Sequence, residues 1–200
     1  PVVCRSNMVA VYSLPTMLSG EEERIAIIGV SGSGKSTLAG RMAPLLNLPL
    51  IHLDRHCWKP GWEKTPSPEW ELVVDELIAR PRWIIDGHYG GTLKKRAAAA
   101  DAVVFLDLPV WTCLARVIRR WRTYSGRTRP DMGEGCPERW SLDMIHWVVS
   151  FPFARRPQVV RILAELPDSK SVIRLTSPAA VDRFVDELRS RRPSPSTEET

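Results

Sequence analysis

No run of apolar residues in this chain approaches the roughly 20 that a membrane-crossing helix requires, and the longest are the size of a β-strand. Cysteine is scarce. Four residues, at 4, 57, 113 and 136, form no Cys-x-x-Cys pair and have no histidine at zinc-finger spacing, so neither a disulfide framework nor a structural zinc site is expected. Residues 1–22 hold a short apolar stretch at 9–12 but neither a basic segment of any strength nor a long apolar core, which argues against a secretory signal and for an N-terminal extension. Reduced thiols and no export signal together predict a cytoplasmic protein with no membrane partner. Lysine is sparse as well, since arginine supplies 22 of the 28 basic residues. Internal repeats and extended low-complexity segments are absent.

What is present fits one domain. With 200 residues, 44% hydrophobic and 26% charged, the chain can bury one substantial core but not two. The domain is read as 23–190, followed by a polar tail, 191–200, too poor in apolar residues to order itself. Its chemistry is announced by Gly29-Val-Ser-Gly-Ser-Gly34-Lys35-Ser36, a G-x-x-x-x-G-K-[ST] loop whose backbone N–H groups wrap nucleotide phosphates. The apolar run 25–28 leads into the first glycine, and Ser36-Thr37-Leu38-Ala39 leads out as a helix start, the strand, loop and helix order that the mechanism needs. Gly29, Ser31, Gly32, Ser33, Gly34, Lys35, Ser36 and Thr37 are the predicted nucleotide-binding residues. Lys35 reaches the β- and γ-phosphates of ATP, and the Ser36 hydroxyl ligates Mg²⁺.

Along the rest of the chain, apolar runs at 48–54, 83–87, 102–107 and 171–175 read as further strands, with helical patterns between them. Alternation of this kind predicts a parallel sheet of five strands flanked by helices, joined by right-handed crossovers. Gly40 and Pro44 predict a short or kinked helix after the loop. Ser67-Pro68 caps an amphipathic helix that buries Trp70, Val73, Val74, Leu77 and Ile78, and Pro109 opens another with Val110, Cys113, Leu114, Val117, Ile118 and Trp121 inside. Helices at 141–149 and 155–166 are read as broken by Pro152 and Pro157. Between about 123 and 138 the chain carries Gly126, Pro130, Gly133, Gly135 and Pro137 with almost no aliphatic residues, the composition of a mobile inserted lid, taken as about 122–140.

A carboxylate at the carboxyl edge of a neighbouring strand is needed to hold Mg²⁺ directly or through water. Asp86 and Asp107 both qualify, and Asp86 is preferred because Asp107 runs into Leu108-Pro109 and the next helix. Arg116, Arg119, Arg120, Arg122, Arg127 and Arg129 crowd one stretch. Planar cationic forks suit the charge that spreads over a transferred phosphoryl group. Asp54 stands where a carboxylate can orient or deprotonate an acceptor hydroxyl. Trp58 and Trp62 either stack on a ring or pack the flap of the segment 54–80, read as acceptor-binding.

Several of these motifs carry a resemblance. Ile84-Ile-Asp-Gly87-His-Tyr resembles the aspartate-glycine segment of adenylate kinases, and Leu106-Asp-Leu-Pro109 through Arg116 and Arg120 is similar to their strand-to-lid-helix transition. His52-Leu-Asp-Arg55, Trp58-Lys-Pro-Gly-Trp62, Gly126-Arg-Thr-Arg-Pro-Asp131 and Gly135-Cys-Pro-Glu138 resemble the adenylate-kinase-related topology modulation proteins more closely. The resemblance spans about residues 23–188. It implies an α/β P-loop NTPase of nucleoside-monophosphate-kinase type, ATP and Mg²⁺ use, a closing lid, and Arg116, Arg120 and Arg127 as phosphate clamps beside Lys35, Asp54 and Asp86. A nucleoside monophosphate is the acceptor it suggests. His88-Tyr89 departs from it, because adenylate kinases place there an arginine for the acceptor phosphate. The second reading is a nucleotide-binding, DNA-associated regulator, suggested by the net charge of +5. It is disfavoured because no helix-turn-helix, zinc finger or base-stacking platform is recognisable.

Overall fold

The computed structural model describes residues 18–191. Its centre is β1 (Arg24–Gly29), whose Ile25, Ala26, Ile27 and Ile28 are wholly buried. Such a run, apolar on both faces, belongs in the middle of a parallel sheet. The remaining elements are α1 (Lys35–Leu46), β2 (Leu50–His52), α2 (Leu53–Cys57), β3 (Trp58–Lys59), β4 (Glu63–Lys64), α3 (Ser67–Ile78), β5 (Trp83–Asp86), α4 (Gly90–Ala99), β6 (Ala102–Leu106), α5 (Val110–Tyr124), α6 (Leu142–Ala154), α7 (Arg156–Ala164), β7 (Ser171–Leu175) and α8 (Pro178–Ser190). The main sheet has five parallel strands in the order β2-β5-β1-β6-β7. Right-handed crossovers from this order put α1 on one face and α3, α4 and α7 on the other. Accordingly α1 packs with α8, and α4 packs with α3 and α7.

Because β1 sits beside β5 and β6, the strand order reverses there, and the carboxyl ends of β2, β5, β1 and β6 open onto one crevice. The registers Ile27↔Asp86 and His52↔Asp86 bring the ends of β2 and β5 level, with β1 running two residues further to Gly29.

Burial overrides propensity at two prolines. α1 runs unbroken through Gly40 and Pro44 to an αL end at Asn47, φ 52°, held by buried Leu38, Ala39 and Met42. α6 continues through Pro152 to Ala154, held by Val148 and Phe151. Both correct the expectation of helices cut short at proline; Pro157 instead opens α7 in its first turn. The second strand is also shorter than its apolar run, since Leu53 already starts α2. Leu18 is buried, and its carbonyl accepts from Arg191 Nη1 at 2.7 Å, joining the two ends of the described chain. The rest of the extension and of the tail, 1–17 and 192–200, lies outside the described residues.

Asp107, the alternative metal carboxylate, is bound up in the fold. Arg156 Nε on α7 donates to both its oxygens at 2.9 and 3.0 Å, and Arg174 Nε on β7 donates at 2.7 Å. Removing the charge from a buried pair costs about 2–4 kcal/mol. Asp107→Asn is therefore expected to lower stability by about that amount in urea melts while leaving the Mg²⁺ concentration dependence of any turnover unchanged.

Candidate active site

The phosphate loop is set by what glycine lacks. At Gly32, φ is 80° and an added Cβ would lie 2.3 Å from the Cys113 carbonyl on α5. At Gly29 it would lie 2.7 Å from the Leu106 carbonyl on β6. The loop is thus pinned between β6 and α5, and its last residue opens α1, whose N-terminal dipole faces the crevice. Ser33 Oγ is buried within the loop with no hydrogen-bond partner, the kind of orphan that a bound anion or water satisfies. Lys35 Nζ donates to the Val30 carbonyl at 3.1 Å. Burial pushes its pKa down, and Asp54 and Asp86 oppose that fall.

Ser36 Oγ donates to Asp86 Oδ2 at 2.6 Å, and His52 Nδ1 lies 2.7 Å from Asp86 Oδ1. The hydrogen bond to Asp86 raises the His52 pKa. A hydroxyl and a carboxylate side by side make the partial oxygen set that suits Mg²⁺, which keeps several waters and takes its other ligands from phosphates. No cluster of three His, Cys, Asp or Glu side chains able to hold a metal exists among the described residues, so any cation here depends on the nucleotide for further ligands.

Across the crevice, Asp54 on α2 accepts from the Tyr89 hydroxyl at 2.6 Å. Tyr89 holds φ 30° and packs its ring 4.9 Å from that of Trp70. Burial and the adjacent Asp54 drive the phenol pKa upward, so it remains a donor. His88 is wedged between Trp147 and Phe151, with ring centroids at 5.7 and 5.0 Å. Burial, reinforced by Lys35 and Arg96, lowers its pKa to about 3. The backbone of this turn is held by Arg96 on α4. Its guanidinium is fully buried and donates to the carbonyls of Gly87 at 3.0 Å, His88 at 2.5 Å and Tyr89 at 3.2 Å. Sequence reasoning missed Arg96; the available signal was an arginine on the buried stripe of an alanine-rich helix, beside Leu93 and Ala97.

The arginine cluster divides. Arg116 Nη1 donates to the Ser33 carbonyl at 3.0 Å. Arg120 pairs with Glu138, and both line the crevice together with Arg119 and Arg129. Arg127, expected among the phosphate clamps, is exposed and is not part of the crevice wall. Two residues further on, Arg129 occupies that place, because Asp131 and Glu138 draw it inward. Arg116 and Arg120 thus turn toward the loop rather than away from the core face of α5.

The lid lies down on the acceptor segment rather than standing free. Gly61 N donates to the Gly135 carbonyl at 2.8 Å, Trp62 Nε1 to that of Pro137 at 2.9 Å, and Cys136 Sγ to that of Lys59 at 3.1 Å. Arg55 Nη2 donates to the Pro130 carbonyl. Trp58 and Trp62 stand edge to face with centroids 5.5 Å apart, and Trp62 holds a left-handed φ of 66°. The two indoles therefore join the flap to the lid as well as lining the crevice. The volume of the open crevice, about 1300 Å³, exceeds the 300–1,000 Å³ or so typical of a single small-molecule site.

No family model matches the chain. Among solved structures it is similar to the shikimate kinase of Acinetobacter baumannii, with a TM-score of 0.58 and 19% identity over 86% of this chain and 93% of that one. The shikimate kinase of Bacteroides thetaiotaomicron gives 0.53 and 17% identity over 84% and 97%. At these identities the likeness establishes the fold: an α/β P-loop kinase-like domain with a five-stranded parallel sheet.

His88 supplies a pH signature of this architecture. Its folded-state pKa lies below the unfolded value of about 6.5, so the unfolded chain takes up the proton first. Its contribution is present above that value and is lost as pH falls toward about 3. Urea melts of the wild type should show stability dropping over that window, most cleanly between about pH 6.5 and 5, before carboxylates titrate. His88→Phe should flatten that drop.

Proposed function

We propose that this protein is an ATP- and Mg²⁺-dependent phosphotransferase that moves the γ-phosphoryl group of ATP to a small acceptor. The observation that carries the proposal is the Ser36–Asp86 pair, 2.6 Å apart, in the crevice that Lys35, Arg116 and Arg120 also line. The loop amides and the α1 N-terminus bind the phosphate chain. Lys35, released from the Val30 carbonyl, follows the β- and γ-oxygens. Ser36 and Asp86 would hold Mg²⁺, which would supply charge neutralisation on the phosphate chain. Arg116 and Arg120 stabilise charge that develops on the equatorial oxygens, and the lid excludes water that would otherwise take the phosphoryl group.

The resemblance to topology modulation proteins and adenylate kinases supports membership of that group and a nucleoside monophosphate as acceptor. One observation favours a second acceptor class. Asp54 and Tyr89 present a carboxylate and a phenol on the acceptor side, and Arg96 there is spent on backbone carbonyls. A carboxylate attracts and orients a hydroxyl but repels a phosphate. The A. baumannii neighbour was solved with shikimate bound, in keeping with a non-nucleotide acceptor on this fold. ADP formation from ATP across a panel of nucleoside monophosphates and hydroxylated small acids and sugars decides between them. Three buried, unbridged cysteines, Cys57, Cys113 and Cys136, suit work in a reducing cytoplasm.

Two substitutions test the assignment. Lys35→Met should reduce phosphoryl transfer by about 10²-fold or more with no change in melting temperature; turnover within a few-fold of wild type would exclude the loop as the ATP site. Asp86→Asn should raise the Mg²⁺ concentration for half-maximal turnover by about 10-fold or more, with Mg²⁺-free ATP binding nearly unchanged. Equal losses with and without the cation would mean that Asp86 serves the fold instead.

A further inference from the structure

We infer that Glu138 is a positioning residue for Arg120, setting the guanidinium that meets the transferred phosphoryl group; the inference rests on the phosphotransferase reading above. Glu138 is 6% exposed and stands between two arginines from different parts of the chain. From α5, Arg120 Nη2 donates to Oε1 at 3.2 Å while its Nε lies 3.2 Å from Oε2. From the first arm of the lid, Arg129 places Nε 2.8 Å from Oε2 and Nη1 2.8 Å from Asp131. Two cations and two carboxylates form a neutral cluster at the lid base. The carboxylate is itself fixed by the main chain. Glu138 N donates to the Arg127 carbonyl at 2.9 Å, and its own carbonyl accepts from Gly126 N at 3.0 Å, so the two arms of the lid close on each other.

The geometry of the pairing matters more than its strength. A guanidinium offers two bidentate edges. Glu138 Oε1 accepts from Nη2 of Arg120 and Oε2 stands at ion-pair distance from its Nε without a hydrogen bond, which holds that side of the guanidinium and leaves Nη1 for a phosphate oxygen. Arg120 and Lys35 line the same crevice, and the charge of Arg120 helps depress the lysine pKa. The Arg120 pKa is itself lowered, chiefly by burial and then by Arg129, and Glu138 opposes that fall. Without the carboxylate, two half-buried cations of like sign would face each other, and Arg120 would leave the place it needs. A displacement of about 1 Å in a catalytic group costs about 10²-fold in rate.

The test is the turnover of ATP by the full chain, with water or with whichever acceptor of the panel above is used, in a double-mutant cycle. Glu138→Gln is expected to lower kcat by about 10- to 100-fold and to shift the KM for ATP by less than about 3-fold. Arg120→Ala should show a loss at least as large. Combining the two should add nothing to Arg120→Ala, because the carboxylate then has no guanidinium to place. Should Glu138→Gln melt at a lower temperature, Glu138→Asp, which keeps the charge and withdraws it by one methylene, carries the same cycle. Losses that multiply, or wild-type turnover in the Glu138 variant, overturn the inference alone. A wild-type protein that releases phosphate from ATP to neither water nor any acceptor overturns the phosphotransferase reading, and this inference with it.

Discussion

A carboxylate that is 4% exposed must be compensated where it stands, since an unpaired buried charge is among the most expensive features a fold can carry. At Asp86 the compensation comes from Ser36 on one oxygen and His52 on the other. Those two partners belong to α1 and β2, on either side of the sheet order from β5. The carboxylate can be satisfied only if the ends of β2 and β5 are level and α1 starts directly above them. The register of the sheet, the entry angle of α1 and the position of Lys35 one residue before Ser36 follow from that demand. The same oxygens are the ones proposed above to exchange a proton donor for Mg²⁺.

The turn after Asp86 carries a second layer of the same logic. Gly87, His88 and Tyr89 run through conformations that leave their carbonyls pointing inward, and Arg96 collects all three. Its charge is held at a cost, seen in a pKa lowered to about 10 by burial. The result is a rigid floor from which Tyr89 reaches Asp54.

Local signals made much of this legible. The phosphate loop, the five strands and the Pro109 helix start rest on residues a few positions apart, whereas Ser67, read as a cap, is the first helical residue behind Pro66 and makes no capping hydrogen bond. What the sequence could not disclose depends on partners distant along the chain. Arg127 and Arg129 are indistinguishable by spacing, and only Glu138 and Asp131 decide which is drawn into the crevice. Arg96 looks like a solvated arginine until the turn at 87–89 folds over it. Pro44 and Pro152 predict breaks that packing overrules, because Met42 and Phe151 are buried on the same turns. The lid reads as loose from its glycines and prolines, yet Met132 and Cys136 within it are buried.

The seam between lid and flap accepts only on main-chain carbonyls, although three of its four donors are the side chains of Arg55, Trp62 and Cys136. Carbonyls of Lys59, Pro130, Gly135 and Pro137 receive its hydrogen bonds, and carbonyls are the same whatever side chain follows them. Most lid positions can therefore drift in sequence without losing the closure. The exceptions are places where bulk is forbidden: a Cβ at Gly133 would lie 2.6 Å from the Trp58 carbonyl, and one at Gly135 would lie 2.8 Å from the Pro60 ring. The closure thus depends on two empty spaces as much as on any bond across the seam, so a single methyl added at either would hold the lid off the flap.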